Sequence, residues 1–243
     1  MKSAFFVKYE PVMIHFAQTH TGVSNGMGRH FFPFLTHCLL LFAELFVILH
    51  RIMAKNLYII SGCNGAGKTT ASYTVLPEIL GCKEFVNADE IARGLSPFNP
   101  TSVAIEAGRL MLQRIDDLLS RDESFSIETT LATRSYVNLV RRAKSQDYRV
   151  SLLYFWLNSP QLAMRRVAER VGKGGHDIPK STITRRYAAG IDNLFKLFIP
   201  LVDYWAVFDN SDTPRRTVAT GGLNAKTEIL ENVSYEKMLA YVK

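Results

Sequence analysis

A glycine-rich loop between an apolar run and a helix-compatible run constrains this chain more than any other feature. Residues 57–70 read LYIISGCNGAGKTT, and residues 62–69 match the pattern G-x-x-x-x-G-K-[ST] without a mismatch. Glycine allows backbone conformations that a side chain would block. The N–H groups of such a loop can therefore converge on an anion where the next helix begins. The sequence predicts a strand, a phosphate-binding loop and a helix, in that order.

The loop predicts ATP and Mg²⁺ as ligands. Lys68 is expected to reach the β- and γ-phosphates, and the Thr69 hydroxyl is expected to be a metal ligand for Mg²⁺. The predicted nucleotide-binding set is the loop with the residues directly after its lysine: Gly62, Cys63, Asn64, Gly65, Ala66, Gly67, Lys68, Thr69 and Thr70.

The composition is that of a folded protein. The chain has 243 residues, of which 47% are hydrophobic, enough for one large domain or two small ones with a sizeable core. Its three cysteines show no C-x-x-C spacing, which favours a reducing, cytoplasmic setting. Five of the six histidines precede residue 51, so the sequence predicts no histidine metal site in the remainder.

The first fifty residues differ from the rest. Residues 31–49 are mostly apolar and long enough to span a bilayer. Glu44 near the centre of this run would cost about 2–3 kcal/mol on insertion. The predicted strand follows so closely that a membrane helix would have to end almost at the surface of the domain. Met53 with the residues after it is typical of a natural protein start. We interpret residues 1–52 as a poorly specified extension or a mis-assigned start, with a membrane-associated helix at 31–50 as the alternative.

Positive charge concentrates between residues 134 and 186. This segment holds twelve Lys or Arg against three Asp or Glu, whereas the whole chain has a net charge of +7. In a phosphate-binding protein, such a zone usually faces polyphosphate. Nucleic acid is the alternative ligand. It is disfavoured because Tyr154, Phe155 and Trp156 belong to a predicted buried strand and few other aromatic residues occur in the segment, which leaves few platforms for base stacking.

Two carboxylates follow the two predicted strands that come next after the glycine-rich loop. Asp89 comes after the short strand 84–88, and Glu128 comes after the strand 124–127. Open α/β sheets place their ligands at this end of the strands. Asp89 could accept a proton from a substrate hydroxyl or hold a metal-bound water; the alternative is that it caps a helix. Glu128 is expected to contact a sugar hydroxyl or to polarise a water on Mg²⁺.

The segment 160–193 is predicted to be a helical, arginine-rich lid. Two helical stretches flank a glycine-rich hinge at 172–179, and both carry arginines. Closure of such a lid would exclude water and bring guanidinium groups to a transferring phosphoryl group. The alternative is that these arginines only solvate exposed helix faces.

The fold class predicted from these elements is α/β: a P-loop NTPase or kinase with a mostly parallel five-stranded sheet flanked by helices. The domain is expected to span residues 53–243. The run 149–157 is apolar enough for a strand buried on both faces, and residues 205–211 supply the fifth strand. Residues 214–222 are predicted to form a loop, and residues 227–242 a terminal amphipathic helix.

The order and spacing of these motifs resemble the zeta toxin family of P-loop kinases. The resemblance is to its chromosomal members, often labelled predicted ABC-type ATPases, and covers about residues 55–215. It rests on the phosphate-binding loop and on four short motifs: Asn87-Ala88-Asp89, Ile127-Glu128-Thr129-Thr130, Gly174-Gly175-His176-Asp177-Ile178-Pro179 and Arg185-Arg186-Tyr187. The sequence has no L-S-G-G-Q signature, so the ABC label is not meant literally.

The resemblance implies a reaction and residue roles. Family members phosphorylate the 3′-hydroxyl of the amino sugar in UDP-N-acetylglucosamine. By position, Asp89 resembles the catalytic base, and Glu128 and Thr130 resemble acceptor-sugar contacts. Asn87 completes the predicted acceptor-binding set. An antitoxin protein is a partner of only part of the family.

The same resemblance implies an arginine clamp on the γ-phosphate. Arg170, together with Arg185 or Arg186, resembles the family's clamping residues, so the predicted catalytic set is Lys68, Asp89, Arg170, Arg185 and Arg186. The sequence therefore predicts a cytoplasmic ATP-dependent phosphotransferase with a nucleotide-sugar acceptor. A polynucleotide or other small-molecule kinase is one alternative. A membrane-tethered nucleotide sensor without transfer activity, anchored by residues 31–50, is the other.

Overall fold

The computed structural model describes residues 55–172, 174–175 and 177–243, which belong to one compact unit spanning 53–243. The predicted extension at 1–52, its alternative membrane helix and two residues of the predicted hinge lie outside the described residues. Within the described part of the chain, no helix has the length and apolar character needed to cross a membrane.

One seven-stranded sheet runs through the described residues. Its strands are β1 (Asn56–Gly62), β2 (Glu84–Val86), β3 (Phe125–Thr129), β4 (Arg149–Trp156), β5 (Tyr204–Asp209), β6 (Arg216–Gly222) and β7 (Ala225–Ile229). The spatial order is β2-β3-β1-β4-β5-β6-β7. The first five strands are parallel, and β6 and β7 continue the sheet in antiparallel pairing.

Helices connect the parallel strands and follow the last strand. They are α1 (Lys68–Thr74), α2 (Ala88–Leu95), α3 (Ala104–Ser120), α4 (Tyr136–Ser145), α5 (Pro160–Val171), α6 (Lys180–Asn193) and α7 (Asn232–Leu239). A 3₁₀ turn, Pro100–Val103, precedes α3, and π-helical turns follow α1 and α6 at Val75–Ile79 and Leu194–Phe198.

The central strand β1 shows why the apolar runs become parallel strands. Leu57, Ile59 and Ile60 are at most 1% exposed, and β1 pairs with β3 on one side and with β4 on the other. A strand enclosed by neighbours and covered on both faces needs a nearly continuous apolar sequence. Because β1 lies between β3 and β4, its carboxyl end lies inside the sheet rather than at an edge. The glycine-rich loop follows directly from that end.

The predicted α/β class and mostly parallel sheet are confirmed, but the prediction of five strands is wrong. Residues 214–222 contain β6 rather than a loop, and β7 occupies the start of the predicted terminal helix, of which only α7 is helical. Strand β6 ends in Gly221 and Gly222, without alternating apolar residues, and every residue of β7 is exposed. A strand without a buried face lacks the pattern from which strands are predicted.

Candidate active site

The glycine-rich loop adopts the backbone conformation for which glycine is needed. Gly65 and Gly67 have φ values of 79° and 78°, in the left-handed region. A Cβ atom on Gly65 would lie 2.9 Å from the Ala163 carbonyl oxygen of α5, and one on Gly67 would lie 2.8 Å from Nδ2 of Asn210. The loop is therefore fixed both by its own dihedral angles and by the elements packed against it.

Lys68 is held where the loop meets the neighbouring strand. Its side chain is only 7% exposed, and its Nζ donates to the Cys63 carbonyl at 3.1 Å. The same Nζ lies 3.6 Å from Oε1 of Glu128. The ammonium group thus lies at the inner end of the cleft, between a loop carbonyl and a buried carboxylate.

Glu128 connects the loop to the ends of strands β2 and β3. Its Oε2 accepts hydrogen bonds from Oγ1 of Thr69 at 2.8 Å and from Nδ2 of Asn87 at 3.0 Å. Burial raises the pKa of Glu128, and Asp89 adds to that rise, while Lys68 and Thr69 oppose it. The predicted contact of Glu128 with an acceptor stays a prediction; in the structure, its carboxylate organises Thr69 and Asn87.

Asn87 and Asp89 have different surroundings. Oδ1 of Asn87 accepts from the backbone N–H of Asp89 at 2.9 Å, so Asn87 is the N-cap of α2. The interpretation of Asp89 as the helix cap is therefore wrong. The Asn87 amide bonds within the protein through both of its ends, whereas the Asp89 carboxylate is exposed and lines the cleft beside the loop.

A cleft of about 810 Å³ opens at the carboxyl ends of β2 and β3. Apolar and aromatic side chains of α3 and α4, among them Leu112 and Tyr136, form its outer wall. At its inner end, the cleft brings together seven of the residues predicted from the sequence: Asn64, Lys68, Asn87, Asp89, Glu128, Thr130 and Arg186.

Of the three predicted clamp arginines, only Arg186 lines this cleft. Its Nη1 lies 3.4 Å from Oδ1 of Asn64, in the glycine-rich loop. Arg185, one residue earlier on α6, is exposed. Arg170 is also exposed and packs against Gly175, where a Cβ would lie 2.6 Å from the arginine's Cγ. The roles proposed for Arg170 and Arg185 therefore stay predictions.

The helices of the predicted lid pack on the core along their inner faces. The Tyr187 hydroxyl donates to the Leu157 carbonyl at 2.6 Å, and Ile183 is buried. On α5, the Arg166 guanidinium donates to the carbonyls of Asn210 and Ser211, both at 2.8 Å. The alternative that the arginines only solvate exposed helix faces fits Arg185, but it does not fit Arg166. Movement of the segment as a lid stays a prediction.

Sequence reasoning missed two residues near the loop. Nδ2 of Asn210, directly after β5, donates to the Ala66 carbonyl at 2.8 Å. The Arg215 guanidinium lies over Phe155, 5.0 Å from the ring centroid. The position of Asn210 at the carboxyl end of a parallel strand was an available signal, because such ends carry ligand-binding residues.

The loop and the side chains around it fit a nucleoside triphosphate with a divalent cation. Left-handed glycines leave room for phosphate oxygens beside the backbone, and Lys68 supplies a positive charge. The hard oxygen atoms of Thr69 and Glu128 suit Mg²⁺, which usually takes one or two protein ligands besides phosphates. Among the described residues, no group of three or more His, Cys, Asp or Glu forms a metal-binding cluster by itself.

The family-model match extends from β1 into α6 and covers four of the five parallel strands. A family model described as an AAA domain, AAA_33, matches residues 57–189, more than half of the chain. An uncharacterized protein of Haemophilus influenzae is 27% identical over 136 residues, which are 56% of this chain and 95% of that protein.

Solved structures share the fold at low sequence identity. The AvrRxo1-ORF1:ORF2 complex with ATP has a TM-score of 0.64 at 19% identity, covering 76% of this chain and 63% of that one. The chain thus spans less than two thirds of that relative. The PezAT chromosomal toxin–antitoxin system of Streptococcus pneumoniae has a TM-score of 0.54 at 16% identity, covering 77% of this chain and 84% of that one. At these identities, the likeness shows a common fold.

Proposed function

The chain belongs to the AAA domain family AAA_33 and has a P-loop kinase-like fold, and on that premise we propose that it is an ATP-dependent kinase acting on a hydroxyl of a small molecule. One observation carries the proposal. The exposed carboxylate of Asp89 and the buried ammonium of Lys68 line the same cleft, which is large enough for an acceptor.

The loop side of the cleft holds the phosphoryl donor. Backbone N–H groups of the glycine-rich loop bind the phosphates of ATP, and Lys68 offsets their negative charge. Thr69, oriented by Glu128, is the protein ligand for Mg²⁺. When bound with ATP, Mg²⁺ supplies further neutralisation of phosphate charge.

The opposite side holds the acceptor. Asp89 orients the acceptor hydroxyl and takes its proton, since its carboxylate is exposed in the cleft and has no helix-capping role. Arg186, placed beside Asn64, binds the transferring phosphoryl group and stabilises its charge. Phosphoryl transfer needs mainly such positioning and charge stabilisation.

A nucleotide sugar such as UDP-N-acetylglucosamine is the acceptor we propose, in a reaction of zeta toxin type. Support comes from the motif resemblance and from a cleft of about 810 Å³ whose outer wall includes an aromatic side chain, Tyr136. The PezAT structure, a toxin–antitoxin system, shares the fold. An antitoxin-like partner protein is part of the same proposal, and a cytoplasmic location stays a prediction.

A polynucleotide kinase is the second candidate, favoured by the excess of positive charge between residues 134 and 186. Binding through phosphate contacts would weaken steeply as salt rises, so a filter-binding titration against salt distinguishes it. The anchor of the membrane-tethered sensor lies outside the described residues. Measurable phosphoryl transfer would exclude that sensor, because it was defined as lacking transfer.

The test is a transfer assay with γ-labelled ATP, Mg²⁺ and a panel of UDP-sugars, free sugars and oligonucleotides. We expect labelled product with a UDP-sugar. Asp89→Asn should lower the turnover roughly 10²–10⁴-fold, the usual contribution of a general base, while ATP affinity measured by calorimetry is retained.

Glu90→Gln is the matched control for this assay. Glu90 is the next residue along α2, and its carboxylate pairs with Arg93 at 3.2 Å rather than lining the cleft. Its turnover should stay at the wild-type level. Wild-type turnover in Asp89→Asn would remove Asp89 from the mechanism, and absence of transfer to every acceptor would count against the kinase.

A further inference from the structure

The peptide between Ala66 and Gly67 is held in one orientation from outside the loop. Nδ2 of Asn210 donates to the Ala66 carbonyl at 2.8 Å. In the described residues, the only cis peptide joins Thr213 and Pro214, so this peptide is trans. The C=O and N–H of a planar trans peptide point in opposite directions. The Gly67 N–H therefore points away from Asn210.

Asn210 is itself fixed by neighbours on two sides. Its backbone N–H donates to the Trp156 carbonyl at the end of β4, at 2.9 Å. Its carbonyl accepts from Nη1 of Arg166 at 2.8 Å, and the next carbonyl, of Ser211, accepts from the same guanidinium. The amide thus approaches the loop from a backbone that β4 and α5 hold in place.

The contact is too close to allow the peptide much freedom. A Cβ on Gly67 would lie 2.8 Å from Nδ2 of Asn210, so the amide packs directly on the Gly67 Cα. If the peptide flipped, the Ala66 carbonyl would lose its donor. Its oxygen would then point to the side on which phosphates bind, and the negative end of its dipole would repel them.

We propose that Asn210 is a positioning residue, which keeps the Gly67 N–H directed at the triphosphate by holding the Ala66 carbonyl on the opposite side. This rests on the nucleotide binding in the proposed function, but not on the acceptor or on transfer. Arg166 supports this arrangement, because its guanidinium donates to the carbonyls of Asn210 and Ser211 in the segment that carries the amide.

The test measures the binding of ATP and of inorganic tripolyphosphate by calorimetry. Asn210→Leu keeps the branched shape of the side chain and removes the donor. We expect roughly tenfold weaker binding of both ligands, by the same factor, since the interaction lost is one hydrogen bond to a charged group. Asp212→Asn, an exposed position in the same turn, is the control and should bind both ligands like the wild type.

Thermal unfolding distinguishes positioning from a purely structural role. If Asn210→Leu fails to fold, Asn210→Ser replaces it. The serine hydroxyl lies one bond nearer the backbone than Nδ2 of Asn210, so it is too short to reach the Ala66 carbonyl. Unchanged affinity in a folded variant would overturn the proposal. Weaker ATP binding with unchanged tripolyphosphate binding would also overturn it, because the residue would then act on the nucleoside. A wild-type protein that binds neither ligand would refute the proposed function and this inference with it.

Discussion

The two sides of the cleft are built differently. On the loop side, Asn64 and Lys68 are 6% and 7% exposed, and Gly65 and Gly67 are in contact with α5 and Asn210. On the acceptor side, Ile105 is 77% and Leu112 is 56% exposed. The loop side is therefore ordered by folding itself, whereas the acceptor wall loses water only when a ligand covers it. The contrast suits an enzyme with one fixed donor and an acceptor chosen by the outer wall.

The largest effect should come from the arginine that contacts the ordered side. Arg186→Ala removes the guanidinium beside Asn64, and we expect the turnover number to fall about a thousandfold or more, the lower end of the range for arginines that stabilise phosphoryl transfer. Arg185→Ala, at the exposed neighbouring position, should stay within about twofold of the wild type. Steady-state kinetics measure both. Equal losses of turnover in the two variants would show that a position in the cleft does not make Arg186 more important for catalysis than Arg185.

Two glycines test the contrast directly. Gly65→Ala forces a side chain into the left-handed region and towards the Ala163 carbonyl; we expect about tenfold weaker ATP binding, since a strained backbone costs on the order of 1–2 kcal/mol. Gly108→Ala on the acceptor wall meets nothing within 4 Å and should raise the unfolding free energy by about 0.5–1 kcal/mol. Calorimetry and urea unfolding report the two effects. A loss of ATP affinity in Gly108→Ala as large as that in Gly65→Ala would contradict the contrast.

Glu128 should make stability depend on pH. Its pKa is raised above 4.5, with burial as the largest cause, so in the folded protein it releases its proton at a higher pH than in the unfolded chain. The stabilisation associated with the protonated form is complete below pH 4.5 and is lost as pH rises through the folded-state pKa. Glu128→Gln cannot ionise and should lack this loss.

Urea unfolding of the wild type and of Glu128→Gln between pH 4 and pH 8 measures the difference. The wild type should lose stability relative to the variant as pH increases, because the other titrating groups are common to both proteins. A wild type that gains stability relative to the variant over this range would show that Lys68 and Thr69 outweigh the burial of the carboxylate.

The smallest effect is expected in the alkylation of Cys63, a residue of the glycine-rich loop on the ordered side of the cleft. Burial raises the pKa of its thiol to about 11, so only about one molecule in a thousand would carry a thiolate at pH 8. Iodoacetamide at pH 8 should leave Cys63 unmodified in the folded protein and alkylate it in urea. Peptide mass spectrometry measures both. Rapid alkylation of Cys63 in the folded protein would mean that this side of the cleft opens more readily than its burial indicates.

The parallel half of the sheet could be predicted because its strands carry their own signal. Leu57 and its neighbours form an apolar run that only a doubly covered strand needs. The antiparallel half could not, because β7 is exposed at every residue and its pairing depends on β6. The loop, Lys68 and Asp89 could likewise be located from local patterns, since they come directly after strands.

Contacts between distant parts of the chain could not be predicted, because local sequence patterns carry no information about them. Adjacent residues on a helix point about 100° apart, so the packing of α6 decides that Arg186 rather than Arg185 lines the cleft. The bond from Asn210 to Ala66 joins residues 144 positions apart. Glu128 was expected to contact a sugar hydroxyl or to polarise a water on Mg²⁺, and this stays a prediction. Its hydrogen bonds to Thr69 and Asn87 join three separate segments of the chain, and no local pattern indicates them.

The exposed edge strand β7 offers a practical site for attachment. Lys226 lies on β7, the edge strand, and four strand spacings separate β7 from β1. At about 4.8 Å per spacing, that is roughly 19 Å. A surface linker attached at this strand would therefore leave the cleft accessible to nucleotide and acceptor.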